Sequence, residues 1–125
     1  MILSTWKLKF YLLWIISWLT YIGNIEGITD LEQLKIENND ALTDLNGLTG
    51  GNINDFGSIE ITGNQQLENI NDLSNIIGIL EGELTISNNA SLIGLNGLHN
   101  ISMINGTVMI SSNTSLNSIQ GLQSV

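Results

Sequence analysis

An all-β solenoid of about four coils of 24–25 residues, behind a hydrophobic N-terminal leader helix, is the fold class this sequence predicts. Three observations carry that expectation. First, a 17-residue phrase occurs four times in the last 92 residues: LKIENNDALTDLNGLTG from Leu34, IEITGNQQLENINDLSN from Ile59, LTISNNASLIGLNGLHN from Leu84 and VMISSNTSLNSIQGLQS from Val108. The starts lie 25, 25 and 24 residues apart. Second, four columns are identical in every copy: Ile36, Ile61, Ile86, Ile110; Asn39, Asn64, Asn89, Asn113; Leu42, Leu67, Leu92, Leu116; and Leu48, Leu73, Leu98, Leu122. Third, the apolar spacing changes within a copy. Leu34 and Ile36 are two apart, which puts both side chains on one face of a strand. Leu42, Leu45 and Leu48 are three apart, which suits an irregular or short 3₁₀-like path around a core and not a second long strand.

In chain order, the leader comes first. Lys7 and Lys9 precede the apolar run Phe10–Ile22, which ends at Gly23. A basic start followed by a short apolar stretch reads as a secretory signal peptide or a signal anchor over residues 1–23. The run has 13 residues, against the ~20 a spanning helix needs. Either reading places the repeats outside the cytosol, secreted or at the cell surface. Two readings then compete near the start of the solenoid. Thr29 to Glu32 fits a capping box for a short helix; alternatively, Ile28, Leu31 and Leu34 align with Ile101, Ile104 and Val108 as the end of a degenerate earlier coil. The solenoid is taken as residues 28–125.

Within each copy, the first strand pairs in parallel with its equivalents about 4.8 Å away. The Asn column reads as an inward ladder: each amide donates to carbonyls of its turn and of the next coil, and accepts from an N–H. Gly57, Gly82 and Gly106, two residues before a strand, permit a positive φ or a close backbone approach. Gly47, Gly97 and Gly121 mark another bend, where Asp72 replaces glycine in the second copy, and Asp tolerates a left-handed turn better than most residues.

The phrase L-x-I-x-x-N-x-x-L-x-x-L-x-G-L, with a glycine shortly before the next L-x-I, resembles the receptor L domain. The resemblance covers Leu34 to Val125. It implies a leucine-rich-repeat-like right-handed parallel β-helix, as in ectodomains of the epidermal growth factor and insulin receptor families and in related wall and surface proteins. The implied function is non-enzymatic extracellular recognition or surface scaffolding. Departures from the family are the absence of cysteine and of a kinase, second L domain or anchor. The fourth copy stops where it would turn toward a fifth, so the chain reads as truncated, with an open end prone to self-association.

Composition narrows the function. Beyond Gly23 there are twelve acids and one base, Lys35, a formal charge of −11. Phosphate neutralisation needs basic residues, so nucleic acid and anionic membrane surfaces are disfavoured partners. A membrane enters only through the leader or an anchor beyond Val125. No cofactor is expected. His99 is the single histidine and there is no Cys, which argues against a zinc site and a catalytic triad. Asp40, Asp44, Asn46 and Gly47 resemble a calcium loop, but Leu42 and Leu45 occupy core columns inside it. Glu60 and Glu83 do not form the paired-carboxylate cleft of a glycoside hydrolase.

The outward strand positions form the expected binding face for a protein or glycan: Lys35, Glu60, Thr85 and Met109 in one row, Glu37, Thr62, Ser87 and Ser111 in the other. Four N-x-S/T sequons fall at Asn89, Asn100, Asn105 and Asn113. Asn89 and Asn113 belong to the ladder and are expected to be inaccessible. Asn100 and Asn105 lie on the inter-copy turn and are the candidate glycan acceptors. Competing functions are a structural cell-surface or cell-wall protein with no discrete ligand, and a carbohydrate-active β-helix enzyme.

Overall fold

The structure, a computed structural model, describes residues 33–46 and 53–125. The leader at 1–23, the two readings of residues 28–32, and the bend at Gly47 and Leu48 lie outside the described residues. Within them the protein is all-β, with no long helix.

Each copy opens with the strand its period-two pattern predicts. β1 (Gln33–Glu37), β3 (Ser58–Thr62), β5 (Leu84–Ser87) and β7 (Val108–Ser111) form one parallel sheet in the order β1-β3-β5-β7. Pairing is in register with the sequence repeat: Ile36 opposes Ile61, Ile61 opposes Ile86 and Ile86 opposes Ile110. In β1 and β3 alternate residues are buried and half-buried, as a sheet with one face on a core requires.

The residues after the strand turn inward by repeated i→i+3 bonds. The Leu42, Leu67, Leu92 and Leu116 amides donate to the carbonyls of Asn39, Asn64, Asn89 and Asn113 at 3.0–3.2 Å. Further on, Leu73, Leu98 and Leu122 donate to Ile70, Leu95 and Ile119 within or beside the short 3₁₀ segments Asn71–Asn75, Asn96–Leu98 and Gln120–Leu122. Each such bond advances the chain by three residues, which is why the aliphatic columns here are three apart.

The inter-copy stretch holds more order than a turn. β2 (Ile53–Phe56), β4 (Ile76–Leu80) and β6 (Ile101–Ile104) form a second parallel sheet, ordered β2-β4-β6. Its register slips between Asn54 and Phe56 and between Gly78 and Ile79, and Gly78 has φ +85° at the slip. A glycine there supplies the left-handed residue that a bulge uses.

Between the sheets and bends lies a core of stacked aliphatic side chains, with Phe56 as its one aromatic. Core columns in the first three copies are 0–1 % exposed at Leu34, Ile59, Leu84, Leu45, Ile70 and Leu95. Their equivalents in the fourth copy are open: Val108 is 46 % and Ile119 63 % exposed.

One expectation about glycine is corrected, and one pair of alternatives is decided in favour of close approach. Gly97 and Gly121 do not need a positive φ; a Cβ on either would overlap the backbone carbonyl of the preceding copy, at Ile70 and Leu95 respectively. Gly106 likewise lies against the carbonyl of Gly82, and Gly82 against Gly57, so this column serves close approach between stacked backbones. The left-handed column lies elsewhere, at Asn38, Gly63, Asn88 and Ser112, with φ of 55°, 70°, 57° and 56°. These residues immediately precede the ladder asparagines and turn the chain inward. Asp72 is therefore not a left-handed substitute for glycine.

Candidate binding face

The register of the first sheet assembles the two predicted rows. Lys35, Glu60, Thr85 and Met109 are successive Cα partners, as are Glu37, Thr62, Ser87 and Ser111. Neighbouring positions in a row are about 4.8 Å apart, so the eight residues form one continuous patch.

The patch is graded from charged to apolar. At the first-copy edge, Lys35 Nζ lies 3.4 Å from Glu37 and 3.3 Å from Glu60. Burial pulls the Lys35 ammonium down, but the hydrogen bond and charge of Glu60, and then those of Glu37, outweigh it and hold the pKa above its ordinary value. The lysine is thus neutralised within the face. The centre is hydroxylic, with Thr62, Thr85 and Ser87. Thr62 Oγ1 is buried and has no hydrogen-bond partner among the described residues. Ser87 is buried, so it does not offer the free contact surface the sequence suggested. At the other edge Met109 is 52 % exposed.

Behind the patch the ladder fixes strand spacing. Asn64 Oδ1 accepts from the Asn39 amide at 3.0 Å and Asn39 Nδ2 at 3.2 Å. Asn64 Nδ2 donates to Ile36 O at 2.9 Å, Thr62 O at 3.3 Å and Asn89 Oδ1 at 3.2 Å. Asn89 repeats the pattern, donating to Ile61 O and Asn113 Oδ1. The carbonyl contacted across copies belongs to the preceding copy, not the next one as expected; the next copy is reached through its Asn Oδ1. Asn39, Asn64 and Asn89 are fully buried, whereas Asn113 is only half-buried, against the expectation of an inaccessible side chain.

Other candidates separate clearly. Asn100 and Asn105 are exposed and flank β6, so they border a strand and do not sit on a simple turn. Their amides donate to Ser74 O at 2.7 Å and Glu81 Oε2 at 2.8 Å. His99 is exposed and its Nδ1 contacts Asn96 O. Asp44 Oδ1 accepts from the Asn46 amide at 2.9 Å, an Asx turn that closes the loop locally. Asp72 is held above the ordinary carboxylate range by burial and then by the Asp44 carboxylate, while backbone hydrogen bonds at Asp72 and Leu45 act the other way. Among the described residues no three His, Cys, Asp or Glu side chains group to hold a metal, and no helix is long and apolar enough to cross a membrane.

The sequence missed the second sheet's outer surface, where Ser102 and Met103 are exposed. Its strands, INDF, IIGIL and ISMI, share no column identity, so only their position between copies could have revealed them. No family model matches the chain, and no curated protein or solved structure matches it either.

Proposed function

We propose that this chain is a right-handed parallel β-helix of the receptor L-domain type, acting as a non-enzymatic extracellular recognition or surface-scaffold module. The observation that carries the reading is the register of β1, β3, β5 and β7. It aligns outward residues of successive copies into straight rows on a sheet whose rear is locked by the Asn ladder. Rigid rows of that kind favour binding by pre-organisation, because little side-chain or backbone freedom is lost when a partner docks. The ligand class is a protein or a glycan, and the charge of −11 beyond Gly23 argues against nucleic acid. The leader over residues 1–23 would export the module.

A second reading, a structural surface or wall protein with no discrete ligand, is favoured by one feature of the patch. It carries neither aromatic residue nor arginine, the side chains that most often anchor interfaces. Arrays of extracellular proteins and of glycans, probed with the intact chain and with its Thr62→Arg and Thr85→Arg variants, separate the two. Saturable binding lost in both variants, with unchanged thermal stability, supports recognition. Absence of binding, or binding indifferent to both substitutions, contradicts a ligand-binding role for the face and leaves the scaffold.

A further inference from the structure

We propose that the open end of the fourth copy is a docking site for a polypeptide segment carrying the same phrase, L-x-I-x-x-N-x-x-L-x-x-L-x-G-L, taken up as one further parallel copy. The inference rests on the ladder and the bends, not on the outward sheet face.

Three internal precedents define what this end recognises. The Asn38, Gly63 and Asn88 amides each donate to the following copy, at Thr62, Ser87 and Ser111 O, over 2.9–3.1 Å. The next donor in that series, the Ser112 amide, has no partner among the described residues. The Asn39, Asn64 and Asn89 amides each donate to the Oδ1 of the following asparagine over 3.0–3.1 Å. The Asn113 amide, next in line, is likewise without a partner among the described residues. In return, Asn64, Asn89 and Asn113 Nδ2 donate to Ile36, Ile61 and Ile86 O over 2.8–2.9 Å, so Ile110 O is the next acceptor. A strand paired with β7 supplies the carbonyl for the Ser112 amide, and an asparagine two residues beyond that strand accepts from the Asn113 amide through Oδ1 and donates to Ile110 O through Nδ2. Aspartate cannot do both, because it lacks the Nδ2 donor.

The bend supplies an independent criterion. Gly97 rests on the Ile70 carbonyl and Gly121 on the Leu95 carbonyl, each too close for a side chain. The next seat in the series is the Ile119 carbonyl. A shallow open groove lies there, lined by Asn117, Ser118, Ile119, Gln120, Leu122 and Gln123. An incoming glycine fits that seat, and a Cβ placed as at Gly97 or Gly121 would overlap the carbonyl, although Asp72 holds the equivalent position in the second copy. The apolar columns complete the match: Val108 and Ile119 are 46 % and 63 % exposed where their equivalents in earlier copies are 0–1 % exposed. A strand edge of this kind is a template for parallel pairing, and the asparagine and glycine turn a general stickiness into a sequence requirement.

The test uses the full 125-residue chain and a synthetic peptide of residues 82–106. Hydrogen exchange is read at the Ser112 and Asn113 amides. The proposal predicts slowing of about tenfold or more at both as peptide saturates. It also predicts no slowing with peptides carrying Asn89→Asp or Gly97→Ala. Because a free peptide must order itself on binding, a second measurement joins residues 77–106 after Val125, which keeps the register of the repeat and raises the segment's effective concentration. The same two amides should then be protected, and protection should vanish when the glycine of the added segment equivalent to Gly97 is alanine. Unprotected amides in the joined chain overturn the proposal, as does equal protection by the alanine peptide. Protection that follows chain concentration and ignores the peptide also overturns it, in favour of end-to-end pairing of two chains.

Discussion

Replacing Asn64 by aspartate changes one buried atom from donor to acceptor. Asn64 is fully buried, and its Nδ2 faces three oxygens, Ile36 O at 2.9 Å, Thr62 O at 3.3 Å and Asn89 Oδ1 at 3.2 Å. Asn64→Asp removes all three donations and sets a carboxylate oxygen against three acceptors, while the bonds received from Asn39 survive. One well-formed bond is worth about 1 kcal/mol net, and buried acceptors left unpaired add roughly 1–3 kcal/mol, so a loss of about 3–5 kcal/mol is expected at pH 7. Burial raises the new carboxyl's folded pKa above its unfolded value. Its charge penalty is therefore fully present above the folded pKa and disappears below the unfolded one, so the loss shrinks on acidification. Asn113→Asp is the internal comparison. Asn113 is half-buried and its Nδ2 donates to a single carbonyl, Ile86 O at 2.8 Å, so its loss should be only about 1 kcal/mol. Urea unfolding of the three proteins at pH 7 and pH 4, followed by circular dichroism, measures both effects. An Asn64→Asp midpoint matching the parent at pH 7, or equal losses at Asn64 and Asn113, would refute the buried ladder.

Three further outcomes follow from the backbone. Gly97→Ala should cost about 3 kcal/mol, because its Cβ overlaps a main-chain carbonyl that cannot step aside, whereas Gly94→Ala, whose Cβ would meet only Ser118 O at 3.9 Å, should stay within about 0.5 kcal/mol of the parent. Ser112→Gly should stabilise by about 0.5 kcal/mol, because relief of the left-handed conformation exceeds glycine's entropy cost, while Ser111→Gly in the adjacent strand should destabilise by a similar amount in the same urea titration. Asp72→Asn should raise the melting temperature at pH 7: a carboxyl whose folded pKa is raised destabilises the fold once ionised, and the variant's advantage should fade as pH falls through that pKa toward the ordinary 3.8.

The strand faces and the ladder were legible in the sequence because both repeat by identity. Ile36 and its equivalents mark the inward face, and an invariant asparagine inside an apolar frame had to satisfy backbone groups. The polarity of the ladder was hidden, since an amide can reach either neighbouring copy and only the strand offset selects Ile36 O for Asn64. The left-handed column was hidden because Asn38, Gly63, Asn88 and Ser112 share a conformation without sharing an identity. The second sheet was obscured by its register slips at Asn54 and Gly78, which break the alternation a strand normally shows. Glycine columns were located correctly, but whether they served φ or close approach depended on the neighbouring copy's carbonyls, which no single copy encodes. The rows of the candidate face followed from the repeat, whereas the mutual neutralisation of Lys35 by Glu37 and Glu60 depended on rotamers.

In-register stacking of the copies is tested most directly by disulfide trapping, for which the absence of native cysteine gives a clean background. Glu60→Cys with Thr85→Cys places thiols on directly paired residues, where the strand spacing of about 4.8 Å suits a disulfide. Lys35→Cys with Thr85→Cys spans two strand spacings, about 9.6 Å, beyond disulfide reach. Intramolecular cross-linking of the first pair under mild oxidation, with the second remaining reduced, is the predicted result. Equal cross-linking of both pairs, or trapping of neither, would contradict the stack on which the binding face, the ladder and the docking end all depend.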